Sequence, residues 1–114
     1  MPEPVRLTLP VTRILAALLD DPDEPRYGLD LMAATGLPSG TLYPILTRLH
    51  AAGWLRTEWE DIDPSAAGRP ARRYYLLSPD GLVSARQQLA ELYDQLRPAT
   101  RPGQPRTATN GAPA

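Results

Sequence analysis

The chain has 114 residues, no cysteine, one histidine and a formal net charge of −1. That length suits one domain, and the lack of thiols excludes a disulfide framework and thiolate metal sites. His50 alone cannot hold a metal, no apolar run nears about 20 residues, and no basic-then-apolar leader opens the chain; the expectation is a cytoplasmic protein with no cofactor and no membrane span.

The first predicted helix runs from Leu9 to Leu19. Thr8 is its cap and Pro10 sits in the first turn, where proline is tolerated. Val11, Ile14, Leu15 and Leu18 fall at i, i+3, i+4, i+7 and make one buried face. The acidic run Asp20-Asp21-Pro22-Asp23-Glu24-Pro25 ends it and reads as a solvated loop. A second, short helix spans Tyr27 to Ala34, with Leu29, Leu31 and Met32 as its apolar side. Thr35-Gly36-Leu37-Pro38 is a turn in which Gly36 supplies a left-handed residue.

The third helix is expected from Ser39 to Ala52, with Gly53 closing it. Leu42, Ile45, Leu46 and Leu49 form a narrow apolar face. The opposite face carries Gly40, Pro44, Thr47 and Ala51, flanked by Tyr43 and Arg48, and is almost free of carboxylates. Pro44 is the anomaly: an interior proline costs about 3 kcal/mol unless the first turn is irregular.

Two strand-like runs follow, Trp54 to Trp59 and Arg73 to Leu77, joined by a long loop over Asp61 to Arg72 that holds Pro64, Gly68 and Pro70. Trp54 and Trp59 are expected to pack in the core and within the hairpin. The fourth predicted helix has Ser78 as cap, Pro79 in the first turn and Asp80 near its positive end, and continues to Arg97. Leu82, Ala85, Leu89, Leu92 and Leu96 are spaced three, four, three, four, as in a coiled-coil seam of about two heptads. They are candidate dimerisation residues. The segment 98–114 is rich in proline and poor in large apolar side chains, and is expected to be a disordered tail.

Helix, short helix, tight turn, helix, hairpin, helix is the order of a winged helix-turn-helix over residues 1–77, followed by a dimerisation helix at 78–97. The expected fold class is mainly α with a small β-hairpin. In such a motif the third helix enters the major groove. Ser39, Thr41, Tyr43 and Thr47 offer hydroxyls, Gly40 permits close approach, and Arg48 can reach guanine or phosphate. Arg69, Arg72 and Arg73 on the wing are candidate phosphate or minor-groove contacts. Every Lys/Arg position is arginine, which favours bidentate contacts.

Tyr27-Gly28, the run Leu37 to Leu49 with Gly-Thr-Leu-Tyr-Pro inside it, Gly53-Trp54-Leu55, Glu58-Trp59-Glu60 and the stretch Gly68 to Ser78 together resemble PadR-type regulators, over about residues 9 to 96. The resemblance implies a homodimeric repressor that binds a palindromic operator in double-stranded DNA and dimerises through its C-terminal helix, helped by the first. It places Ser39, Thr41, Tyr43 and Pro44 on the recognition helix, and Arg72 and Arg73 on the wing. The link between helices two and three is shorter than in many such proteins, and the single C-terminal helix matches the short-tailed subfamily. Some members hold planar drugs between tryptophans at the dimer centre; here the last helix has Tyr93 and no tryptophan. That change speaks against the tryptophan-held ligand mode; release by a small-molecule effector of other chemistry is what the resemblance leaves as the expected partner. The alternative from the residues is a winged-helix module that binds protein, which the near-neutral charge favours. No nucleophile–base pair, metal cluster or phosphate loop points to an enzyme.

Overall fold

The computed structural model describes residues 2–98. The expected tail beyond Pro98 lies outside the described residues.

Helix α1 spans Leu9–Asp20, and its Thr8 cap accepts a hydrogen bond from the Val11 N–H at 3.4 Å. Val11, Ile14, Leu15 and Leu18 are its buried residues, as the periodicity requires. A two-residue strand, β1 (Arg26–Tyr27), leads directly into α2 (Gly28–Thr35). Strand β1 left no mark in the hydrophobic pattern, because two residues are too short to show alternation. In α2 the inward positions are Gly28, Leu31 and Thr35, with Met32 half-buried. Leu29, expected on the apolar side, is instead exposed. It lies one position, about 100°, off the Gly28–Leu31–Thr35 row.

The turn to α3 is held by three hydrogen bonds. Gly36 adopts φ 73° and its N–H donates to the Met32 carbonyl at 2.8 Å. The buried Thr35 hydroxyl donates to the Leu31 carbonyl at 2.6 Å and accepts from the Leu37 N–H at 3.2 Å. Helix α3 then runs over Ser39–Ala51.

Strand β2 (Leu55–Trp59) and strand β3 (Arg73–Leu77) pair antiparallel, with Leu55 opposite Leu77, Thr57 opposite Tyr75 and Trp59 opposite Arg73. Strand β1 pairs on the other side of β3, so the sheet order is β1-β3-β2. The wing loop contains one helical turn, α4 (Pro64–Ala67). Its signals are all local: Asp63 accepts from the Ser65 N–H at 3.0 Å, proline occupies the first turn, and Gly68 closes it at φ 71°. The chain ends its described part in α5 (Pro79–Leu96), capped by Ser78.

The core lies between α1, α2, α3, the sheet and the start of α5. Trp54, Ile14, Leu15, Leu31, Leu42 and Leu46 are among its fully buried side chains. The segment before α1 is drawn onto this core. The Trp54 indole N–H donates to the Glu3 carbonyl at 2.6 Å, and the Glu3 N–H donates to the Ala52 carbonyl at 2.8 Å. Val5 and Leu7 pack against the same cluster. The α5 seam is divided. Ala85 is fully buried in its own domain, Leu82 and Leu89 pack partly against the core, and Leu92 is half-buried. Leu96, with Val83 and Tyr93, stands exposed.

Candidate nucleic-acid interface

Helix α3 presents two unlike faces. Leu42, Ile45, Leu46 and Leu49 are buried, whereas Ser39, Gly40, Tyr43, Pro44, Thr47, Arg48 and Ala51 are exposed and Thr41 is half-buried. No carboxylate occurs between Ser39 and Ala51. Pro38 is the N-cap residue, and the N–H groups of Thr41 and Leu42 donate to its carbonyl at 3.0 and 2.9 Å. The helix therefore starts cleanly at Ser39, and Pro44 costs it a bond in its second turn. The Gly40 carbonyl receives no i+4 donor, but Gly40 is exposed and solvent can satisfy that oxygen. A Cβ at Gly40 would meet nothing within 4 Å, so the fold itself does not demand glycine there.

Tyr43 leans back across α2. A Cβ built on Gly28 would overlap the Tyr43 ring and hydroxyl, so Gly28 gives the ring its seat. Gly28→Ala must swing the ring out. In DNA binding we expect Gly28→Ala to cost about tenfold, and to cost nothing further when Tyr43→Ala is already present. Additive losses in that double-mutant cycle would show that the two residues act separately.

The wing arginines have different surroundings. Tyr43, Tyr27, Leu29, Tyr75, Arg72 and Arg73 line one depression of about 240 Å³, which joins the start of α2, the middle of α3 and the base of the wing. The Arg72 guanidinium lies over the Tyr27 ring at 4.6 Å, and that ring meets Tyr74 edge-on at 5.6 Å. The Arg73 guanidinium lies 5.8 Å from the Trp59 ring centre and 5.9 Å from that of Tyr75, and donates to Thr57 Oγ1 at 3.4 Å. Trp59 is thus an exposed platform for Arg73 and is not packed into the hairpin. Burial raises the Tyr75 phenol pKa, against a smaller lowering effect of the Arg73 charge.

Arg69 is placed differently. It grips the Glu60 carboxylate with both terminal nitrogens, at 2.7 and 3.0 Å, and also donates to the Pro70 carbonyl. Sequence reasoning gave Glu60 no role, since nothing local links positions nine apart across a loop. The Arg69 hydrogen bond, helped by the Arg72 N–H, holds the Glu60 carboxyl at about 2, below its ordinary 4.5, against a raising effect of partial burial. The folded value lies below the unfolded one. The stabilising effect is therefore complete above about pH 4.5 and is lost as pH falls from there through 2. We expect the Glu60 carboxyl carbon shift to titrate near pH 2, with the Arg72 amide losing protection over that window. A midpoint near 4.5 would mean the fork is not formed in solution.

Among the described residues no group of three or more histidine, aspartate or glutamate side chains stands close enough to hold a metal ion. None of the described helices is long and apolar enough to cross a membrane.

The sequence that builds this helix and wing matches a known family. The profile of the Transcriptional regulator PadR-like family matches residues 14–91, more than half of the sequence. The chain belongs to the PadR-like family. It is accordingly a DNA-binding transcriptional regulator of that family and not an enzyme. Solved structures agree. A PadR-like transcription factor from Bacteroides fragilis is 28% identical with a TM-score of 0.62, covering 75% of this chain and 81% of that one. The smu.1704 protein of Streptococcus mutans UA159 is 27% identical with a TM-score of 0.62, covering 83% and 86%. A PadR family transcriptional regulator from Eggerthella lenta DSM 2243 is 29% identical with a TM-score of 0.60, covering 74% of each. No curated protein matches the chain at a significant level. The PadR-like fold is a winged helix-turn-helix: mainly helical, with a small three-stranded antiparallel sheet and a long C-terminal helix.

Proposed function

We propose that this PadR-like protein is a homodimeric repressor that reads a palindromic operator through the exposed face of α3. The observation that carries the reading is that face itself: hydroxyls, glycine and Arg48 with no carboxylate, bordered by Arg72 and Arg73. In this reading Ser39, Gly40, Thr41, Tyr43, Pro44, Thr47 and Arg48 lie at the base edges and nearby phosphates, and Arg72 and Arg73 track the adjacent backbone. Such a protein acts in the cytoplasm.

The exposed end of α5 supports a dimer. Tyr93 and Leu96 are open to solvent in the last turn of a helix whose first half already packs on its own core. In the reading, Leu92 and Leu96 lie at the centre of the contact, while Leu82, Ala85 and Leu89 brace it from the domain side. A two-fold dimer sets its two α3 helices about one DNA turn, roughly 34 Å, apart. An effector would act by altering that separation through α5. A groove of about 610 Å³, between the segment before α1 and the Gln87, Gln88 and Glu91 side of α5, is placed for such control.

The test is selection of duplexes from a random pool by the full chain, with sedimentation of the bound complex. Enrichment of an inverted repeat bound by two chains supports the reading. Recovery of no sequence, or one chain per site, overturns it.

A further inference from the structure

The wing contains a carboxylate where DNA-facing surfaces avoid them. The other acidic side chains nearby have evident tasks or outward positions. Glu58 pairs with Arg56 on the exposed strand surface, and Asp63 caps α4. Glu60 sits at the base of the loop, where it closes both ends at once. Its N–H donates to the Arg72 carbonyl at 2.7 Å, and its Oε1 accepts from the Arg72 N–H at 3.2 Å. The same carboxylate holds Arg69 by two bonds, with its side chain only 15% exposed. The intervening loop is long, and an unpinned loop of that size samples many conformations. Arg72 is the pinned position and Arg73 follows it, and both line the depression that Tyr43 of α3 shares.

We propose that Glu60 is a positioning residue for DNA binding: by closing the wing loop through Arg69 and the Arg72 N–H, it keeps Arg72 and Arg73 beside α3. Arg69 then serves as the clasp of the loop, not as a phosphate contact. The inference rests on the DNA-binding reading above.

The experiment compares the full chain with Glu60→Gln, Arg69→Gln and the double variant on a duplex selected by the unaltered chain, across a salt series. A carboxylate acting only by its charge would repel phosphates, so Glu60→Gln would tighten binding. A positioning carboxylate gives the opposite sign. We expect Glu60→Gln to weaken binding roughly tenfold and to lower the salt slope by about 0.9 for each phosphate that the wing ceases to neutralise. Arg69→Gln should do the same, and the double variant no more. A purely structural role would lower the unfolding midpoint and leave the salt slope of the folded chain unchanged. If Glu60→Gln does not fold, Glu60→Asp carries the comparison, since it keeps the charge and shortens the reach to Arg69: weaker binding at unchanged net charge supports the inference, and unchanged binding overturns it. Binding by Glu60→Gln as tight as or tighter than the unaltered chain overturns the inference while leaving DNA binding intact. Selection of no duplex by the unaltered chain overturns the DNA-binding reading, and this inference with it.

Discussion

Gly81→Ala is expected to destabilise the protein by about 3 kcal/mol, although alanine is the better helix former by about 1 kcal/mol. Gly81 is buried in the first turn of α5, and a Cβ there would collide with the backbone of Trp54. That backbone cannot step aside. The Ser78 N–H donates to the Trp54 carbonyl at 2.9 Å, and the Ser78 hydroxyl donates to the Gly53 carbonyl at 2.8 Å while capping the Gly81 N–H at 2.9 Å. The helix start and the entry to β2 are therefore one fastened joint. A chain of this size shifts its Tm by about 4–8 °C per kcal/mol, so thermal unfolding should show a drop of about 10 °C or more. Gly40→Ala is the control, since its methyl meets open space. It should leave the unfolding midpoint unchanged or raise it. An unchanged midpoint for Gly81→Ala would mean that α5 does not press on Trp54.

The second large effect concerns the outer face of α3. Thr41→Ala, Tyr43→Ala, Thr47→Ala and Arg48→Ala are each expected to weaken specific binding by about 1–3 kcal/mol, or roughly 5- to 200-fold. Combined, they should reduce binding to the sequence-independent level. Thr47 and Arg48 are exposed and Thr41 half-buried, so their unfolding free energies should stay within about 0.5 kcal/mol of the parent, whereas Tyr43→Ala also empties the seat on Gly28 and should cost about 1 kcal/mol. Gly40→Ala belongs in the same series: weaker binding at unchanged stability would report close approach of the backbone to DNA. The quantity to measure is the ratio of specific to non-specific affinity at fixed salt. An intact ratio in the combined variant would remove α3 from the interface.

Local pattern carried most of the fold. Helix α3 was legible because Leu42, Ile45, Leu46 and Leu49 repeat at helical spacing, and the same kind of row fixed α1. Strand β3 was legible from Arg73 to Leu77 because a β-rich run stands between proline-bearing segments. Short elements were missed for two different reasons. Strand β1 has no signal of its own and exists because β3 offers an open edge. The turn α4 does carry a signal, in the Asp63 cap, the first-turn Pro64 and the closing Gly68, but four residues are too few to show a helical row inside the long loop.

In the candidate site, the exposed positions are visible in the sequence and the long-range contacts are not. Thr47 and Arg48 follow from the helical face alone. That Gly28 seats Tyr43, that Glu60 clasps Arg69, and that Gly81 abuts Trp54 all depend on the folded path of the chain. Arg69 shows the limit most plainly. Composition groups it with Arg72 and Arg73, but the Glu60 carboxylate at 2.7 Å separates it from them.

The absence of cysteine allows one decisive measurement, because a single thiol can be introduced at a chosen place without competition. Thr47→Cys puts it on the exposed face of α3, and Ala16→Cys puts it on the solvent side of α1. These two helices meet through their buried faces, so the two thiols look away from one another. With saturating selected duplex, maleimide labelling at position 47 should slow by about tenfold or more while labelling at position 16 keeps its rate. Full-rate labelling at position 47 with the duplex bound would contradict the proposed docking.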